Sequence, residues 1–326
     1  MIVRSALASL RRVKEETLGH VATVSGFARE AMQPELVPAG ERVTLTIDDP
    51  RRGPIPIVTE LANPSASSVV VIVHGMGGSA LSPYAVRVAR TAVEAGHAAL
   101  RINLRGASGD GDDVYHAGLG DDVAQVTRAP ELERFDRIAV VGYSLGAHVA
   151  LRHAADGPHD PRLRAVVAVC PPIDLDRGSL AILRVDRRPY QEYVLRGLRK
   201  QLDEVRARHP GLVPNVSAAS LRTIRDWDER VVCPRFGFAS LADFYERESV
   251  GPRLAAIRVP TLLVVADRDP MIAIDTVEPW LDRASAAVTV VRKQRGGHVA
   301  FPKDVGLLAR RGDAMEREIV RWISDR

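Results

Sequence analysis

The sequence predicts an α/β fold: a mostly parallel central sheet flanked by helices, with a helical segment inserted late in the chain. Short apolar runs rich in β-branched residues alternate with helical stretches as far as Val169 and again from Thr261. That alternation is the pattern of a parallel sheet covered on both faces. From Ile173 to about Val259 it stops, and Tyr190, Tyr193, Val194, Leu198, Leu202 and Val205 recur at helical spacing. A chain of 326 residues can bury one full-sized core, and no internal repeat divides it.

Residues 1–38 read as an N-terminal helical arm, with Leu7, Leu10, Val13 and Leu18 on an approximate stripe that would pack on the body. Residues 39–326 read as one α/β domain carrying a cap insertion over 173–258. Val43 to Ile47 and Ile55 to Thr59 are strand-like around the turn-forming stretch 48–54. Val69 to Val73 is a buried strand, followed by a helix from Pro83 to Ala95, a strand from Ala98 to Ile102 and a helix near Asp121 to Thr127. Ile138 to Val141 and Leu163 to Val169 add strands around a helix that starts at Leu145. After the insertion, strands are expected at Thr261 to Val265 and Val288 to Val291, then a closing helix from about Asp304 to Ile323.

Composition narrows the function classes. The formal charge is +4, with arginines dispersed among acids and not blocked together, so nucleic-acid binding is not expected. Cys170 and Cys233 lie far apart and form no CxxC, which implies neither a disulfide framework nor a zinc site. No apolar run reaches membrane-spanning length. Arg4, Arg11, Arg12 and Lys14 interrupt what would have to be a continuous apolar leader. A soluble, cytoplasmic protein is the expectation, and nothing in the sequence signals an oligomeric state.

The chemistry centres on Gly142-Tyr143-Ser144-Leu145-Gly146. This G-x-S-x-G lies between a strand and a helix, where a sharp turn would lift the Ser144 hydroxyl above the sheet. Capping the helix is the plain alternative for such a serine. A serine hydroxyl is a weak nucleophile and needs a base, and the base in turn an acid to orient it. Both candidates follow in chain order. The strand ending at Val265 runs into Ala266-Asp267-Arg268-Asp269-Pro270, and the strand ending at Val291 leads to Gly296-Gly297-His298. His298 is the candidate base. Asp269 is favoured over Asp267 as the acid because it lies a few residues beyond the strand end, with Asp267 as a turn former. His74-Gly75-Met76-Gly77 follows the first buried strand, so the backbone N–H groups of Met76 and Leu145 are the expected oxyanion donors. His74 itself reads as a loop-holding residue. His148 and His153 read as packed or surface residues, and Asp110, Asp112 and Asp113 as a solvated turn. No cofactor and no metal ion is expected.

Taken together, these motifs resemble the α/β-hydrolases, and within them the YheT-like branch. The narrower likeness rests on Asn103-Leu104-Arg105-Gly106, Tyr115-His116-Ala117-Gly118, Ile224-Arg225-Asp226-Trp227-Asp228, Asp243-Phe244-Tyr245 with Ser249, and Gly296-Gly297-His298-Val299-Ala300-Phe301. Gly19-His20-Val21-Ala22-Thr23 extends it towards the N-terminus. Arg268 and Ala300 depart from the branch, which commonly has an acidic residue and a glycine there. The resemblance implies an α/β-hydrolase fold, Ser144, Asp269 and His298 as a charge-relay set, and esterase activity on a small-molecule acyl ester. Acyl transfer to an alcohol is the alternative, and a ligand-binding role without catalysis is a third. Leu180, Ile182, Leu183, Tyr190 and Tyr193 in the cap suggest an apolar, short- to medium-chain acyl group.

Overall fold

A computed structural model describes residues 17–24, 37–109, 111–302, 306–308 and 314–326. Leu7, Leu10 and Val13 of the expected arm, and Asp110, lie outside them. Strands β1 (Gly40–Asp49) and β2 (Gly53–Ala62) form an antiparallel hairpin. Its turn is shorter than the composition of 48–54 suggests, because the Asp49 carboxylate accepts the N–H groups of Arg51 and Arg52 and lets pairing run to Gly53. The parallel strands are β3 (Ser68–Val73), β4 (Ala98–Ile102), β5 (Arg137–Tyr143), β6 (Leu163–Val169), β7 (Thr261–Ala266) and β8 (Val288–Lys293). The eight strands lie in the order β1-β2-β4-β3-β5-β6-β7-β8, with β2 antiparallel to β4.

Side-chain alternation divides the core between two faces. Val69, Val71 and Val73 of β3 face one cluster and Val70 and Ile72 the other. Helices α3 (Gly120–Thr127), α4 (Leu145–Asp156) and α10 (Ile274–Leu281) cover the first face. Helices α2 (Pro83–Glu94) and α11 (Met315–Ser324) cover the second. Burial of each such Val or Ile contributes roughly 1.5–3 kcal/mol. Strand order reverses beside β3, between β4 and β5, and the crevice at the carboxyl ends there is where open α/β sheets hold ligands.

Between β6 and β7 the chain leaves the sheet for α5 (Leu175–Ala181), α6 (Arg188–Arg208), α7 (Ile224–Trp227), α8 (Cys233–Phe236) and α9 (Leu241–Glu248). Tyr190, Val194, Leu198, Leu202 and Val205 of α6 are buried, as their spacing predicts, whereas Tyr193 is exposed. Preceding the sheet, residues 17–24 form helix α1.

Two expectations are corrected. The closing helix spans Met315–Ser324, and 306–308 is not helical. There the N–H groups of Leu307 and Leu308 donate to the Glu318 carboxylate, a partner that holds the segment off the helix path. Nor is Asp113 of the acidic turn solvated: it is fully buried, because Arg235 of α8 donates two hydrogen bonds to it, at 2.6 and 2.9 Å, and Arg105 lies 3.6 Å away, while Asp112 stays partly exposed. Arg105 in turn grips Asp122 of α3 through two nitrogens and reaches Asp49 at the hairpin. Gln201 of α6 donates to the Arg105 carbonyl at 2.7 Å. The N-x-R-G turn is thus the node that joins hairpin, sheet and cap.

Removing one member of a buried ionic set leaves the others uncompensated. Asp113→Ala should therefore cost about 3–5 kcal/mol in a urea unfolding titration. A loss below about 1 kcal/mol would mean that water screens the arginines as it does at a surface.

Candidate active site

Ser144 sits between β5 and α4 with φ 54° and ψ −121°, a conformation that residues with side chains rarely adopt. The turn is tight enough to demand its glycines. A Cβ on Gly142 would come within 2.2 Å of the Gly146 carbonyl oxygen, and one on Gly146 within 2.4 Å of those of Val73 and His74. The Ser144 N–H donates to Val169 at the end of β6. Leu145 opens α4, so its N–H has no acceptor within the helix.

The loop after β3 crosses this turn, and a Cβ on Gly75 would lie 3.1 Å from the Ser144 Cβ. Two tyrosines hold the loop: Gly75 N–H donates to the Tyr84 hydroxyl at 2.8 Å, and Gly77 N–H to that of Tyr115 at 2.7 Å. Gly78 N–H donates to the Gly75 carbonyl. The Met76 N–H has no acceptor among the described residues, and Met76 borders the same cleft as Ser144. His74 is a brace. Its Nδ1–H donates to the Gly75 carbonyl at 2.7 Å, and its Nε2 accepts the Leu104 N–H at 3.1 Å. Only a neutral imidazole can do both, and burial lowers its pKa to about 4.

Asp269 and His298 come together at the ends of β7 and β8. His298 Nδ1 lies 2.9 Å from Asp269 Oδ2, with both side chains buried. Asp269 Oδ1 accepts the N–H groups of Met271 and Ile272, which fix the carboxylate. Asp267 points elsewhere and pairs with Arg292 at 2.5 Å. Ser144, Met76, Leu145 and His298 border one cleft of about 1110 Å³ including its mouth, walled by Leu175, Ile182, Val194 and Phe244 among others.

Helix α1 packs against both loops. The His298 N–H donates to the Thr23 hydroxyl at 2.8 Å, and that hydroxyl donates to the Gly19 carbonyl. A Cβ on Gly19 would collide with the Arg268 backbone, and one on Gly297 with Thr23. His20 hydrogen-bonds and stacks on Tyr190 of α6. Tyr84, Tyr115 and Thr23 are thus supports that the catalytic motifs did not disclose, although the Y-H-x-G and G-H-x-x-T patterns contain two of them.

Cys170, at the end of β6 with φ 52°, is a further neighbour. Its sulfur, an Asp269 oxygen and a His298 nitrogen lie within 4.8 Å of one another. A metal ion would need the thiolate, whereas burial and the adjacent Asp269 push the thiol pKa well above its usual range. With His298 Nδ1 already bound to Asp269, this cluster is poorly suited to hold one. His148 and His153 are buried on α4, as packed residues should be. No helix among the described residues is long and apolar enough to cross a membrane.

Residues 70–310 match the sequence profile of the alpha/beta hydrolase family. The chain is 31% identical to the Escherichia coli (strain K12) protein named "Putative esterase YheT" over 238 residues, 71% of this chain and 70% of that one. It is 23% identical to "Medium-chain fatty acid ethyl ester synthase/esterase 2" of Saccharomyces cerevisiae, across 72% of this chain and 58% of that one. The solved Pyrococcus furiosus esterase Pf2001 superposes with a TM-score of 0.52 at 18% identity, covering 82% of this chain and 90% of that one. At that identity the likeness is one of fold.

The neutral state of His74 sets a pH response. Between its ordinary pKa of 6.5 and about 4 the unfolded chain binds a proton that the folded chain refuses. Stability should therefore fall as pH drops through that window. The urea midpoint of the wild type should decline from pH 7 to 4.5, and less steeply in His74→Asn, which is less stable throughout. Equal slopes would contradict a neutral brace.

Proposed function

The chain belongs to the alpha/beta hydrolase family, within its YheT-like branch, and on that premise we propose that it is a carboxylic-ester hydrolase working through an acyl-enzyme on Ser144. The observation that carries the proposal is the Asp269–His298 pair, whose histidine borders the same cleft as the strained Ser144 turn. In this reading His298 Nε2 takes the Ser144 proton as Oγ attacks the acyl carbon. Asp269 holds Nδ1–H, keeps the productive tautomer and stabilises the imidazolium. The Met76 and Leu145 N–H groups receive the oxyanion, the term that usually lowers the barrier most. His298 then protonates the leaving alcohol, and water repeats the cycle to free the acid.

The apolar walls of Leu175, Ile182, Val194 and Phe244 support a short- to medium-chain acyl group lying on the cap side. The same acyl-enzyme would serve acyl transfer if an alcohol displaced water, a second reading supported by the synthase/esterase name of the yeast relative.

Purified protein is assayed with p-nitrophenyl esters of graded chain length. Turnover is expected with an optimum at short to medium chains, and its abolition in Ser144→Ala. Asp269→Asn should lower kcat by roughly 10⁴-fold if the serine-protease precedent transfers, while Asp267→Asn stays within a few-fold of wild type. Full activity in Ser144→Ala, or the two aspartates reversed, would refute the assignment. Ester product on adding ethanol would favour transfer.

A further inference from the structure

One polar group in the cap wall is not used by this chemistry. Asp228 follows α7 and opens a π-type turn over Asp228–Val232, the kind of irregularity that inserts a residue and re-aims a side chain, often at a functional site. The residue is 5% exposed, and it borders the same cleft as Ser144 and His298. The Tyr245 hydroxyl of α9 donates to its Oδ2 at 2.8 Å. No other hydrogen bond to its carboxyl occurs among the described residues. The nearby Arg225 is already engaged: it donates to Asp176 and to the Ser179 hydroxyl and lies over the Tyr245 ring. Asp228 is therefore a carboxyl with one fixed oxygen, set in a wall whose other members include Ile182, Val194 and Phe244.

Burying a carboxyl beside apolar side chains is unfavourable unless something bonds to it, and a leucine would pack there at no such cost. We propose that Asp228 and Tyr245 form a subsite for a hydroxyl group carried on the acyl chain of the ester. This rests on the reading that the acyl chain lies on the cap side of the cleft. The class of ligand follows from the carboxyl itself. Tyr245 holds one oxygen, and the other borders an apolar wall, where a neutral hydroxyl can accept from the acid or donate to the carboxylate and so fits either state. Burial raises the carboxyl pKa, to about 7, which favours a partner that suits both states.

The test uses the intact Ser144→Ala protein, which binds esters without cleaving them. Affinities are measured by calorimetry for acyl esters whose hydroxyl is moved along the chain, beside the unsubstituted ester. At least one position should bind roughly tenfold tighter than the unsubstituted ester. Adding Asp228→Leu should remove that preference. Tyr245→Phe, which deletes only the hydroxyl donated to Asp228, should at least halve it and serves as the decisive variant if melting shows that Asp228→Leu is unfolded. No preferred position, or a preference that survives in the folded variants, overturns the subsite. Because binding is read without turnover, that failure is distinct from a failure of wild-type ester hydrolysis.

Discussion

The backbone of Ser144 is the constraint on which the rest of the site depends. A residue with a side chain held at φ 54° and ψ −121° costs of order 1–3 kcal/mol, and it persists only where its surroundings over-determine it. Here β5 lies inside the sheet between β3 and β6, so the strand end cannot relax. Helix α4 starts at once, and Gly142 and Gly146 let strand, turn and helix pass at distances no side chain would allow. The same close passage brings the β3 loop over the serine, and Met76 of that loop and Leu145 both line the cleft that Ser144 borders.

That distortion fixes only one side of the cleft. Asp269 and His298 arrive from loops at the far edge of the sheet, where β7 and β8 end, and each is tied down through backbone N–H groups. Met271 and Ile272 N–H groups hold Asp269, and the Thr23 hydroxyl holds the His298 N–H. Thr23 lies 275 residues before the histidine it supports. The Arg105 node acts at the other edge and binds hairpin, α3 and the cap helices through buried charge. Cap and body are therefore joined by polar contacts with specific partners as well as by apolar packing.

Much of this is legible in the sequence where local pattern and chemistry coincide. The runs Val69–Val73 and Leu163–Val169 announce buried strands, and the glycines flanking Ser144 and preceding His298 announce tight turns. Spacing beyond the strand end favours Asp269 over Asp267 without showing why; what separates them is that Arg292 draws one outward and His298 receives the other. Tyr115, Thr23 and Cys170 act through partners remote in the chain, and Tyr84 through a loop nine residues back; no periodicity encodes such a partner. Asp113 reads as a surface acid because its arginines come from positions 105 and 235. The closing helix is overextended in the sequence reading because nothing local reveals that Glu318 captures the N–H groups of Leu307 and Leu308.

The central claim is that acyl groups pass through a covalent bond to Ser144, and trapping that bond tests it most directly. Wild-type protein is mixed with a p-nitrophenyl ester, quenched in acid within the first turnover, digested and analysed by mass spectrometry. The expected result is a peptide containing Ser144 that is heavier by the acyl group, formed together with a burst of nitrophenol. Nitrophenol release with the acyl group on another side chain, such as the neighbouring Cys170, or on none, would contradict it.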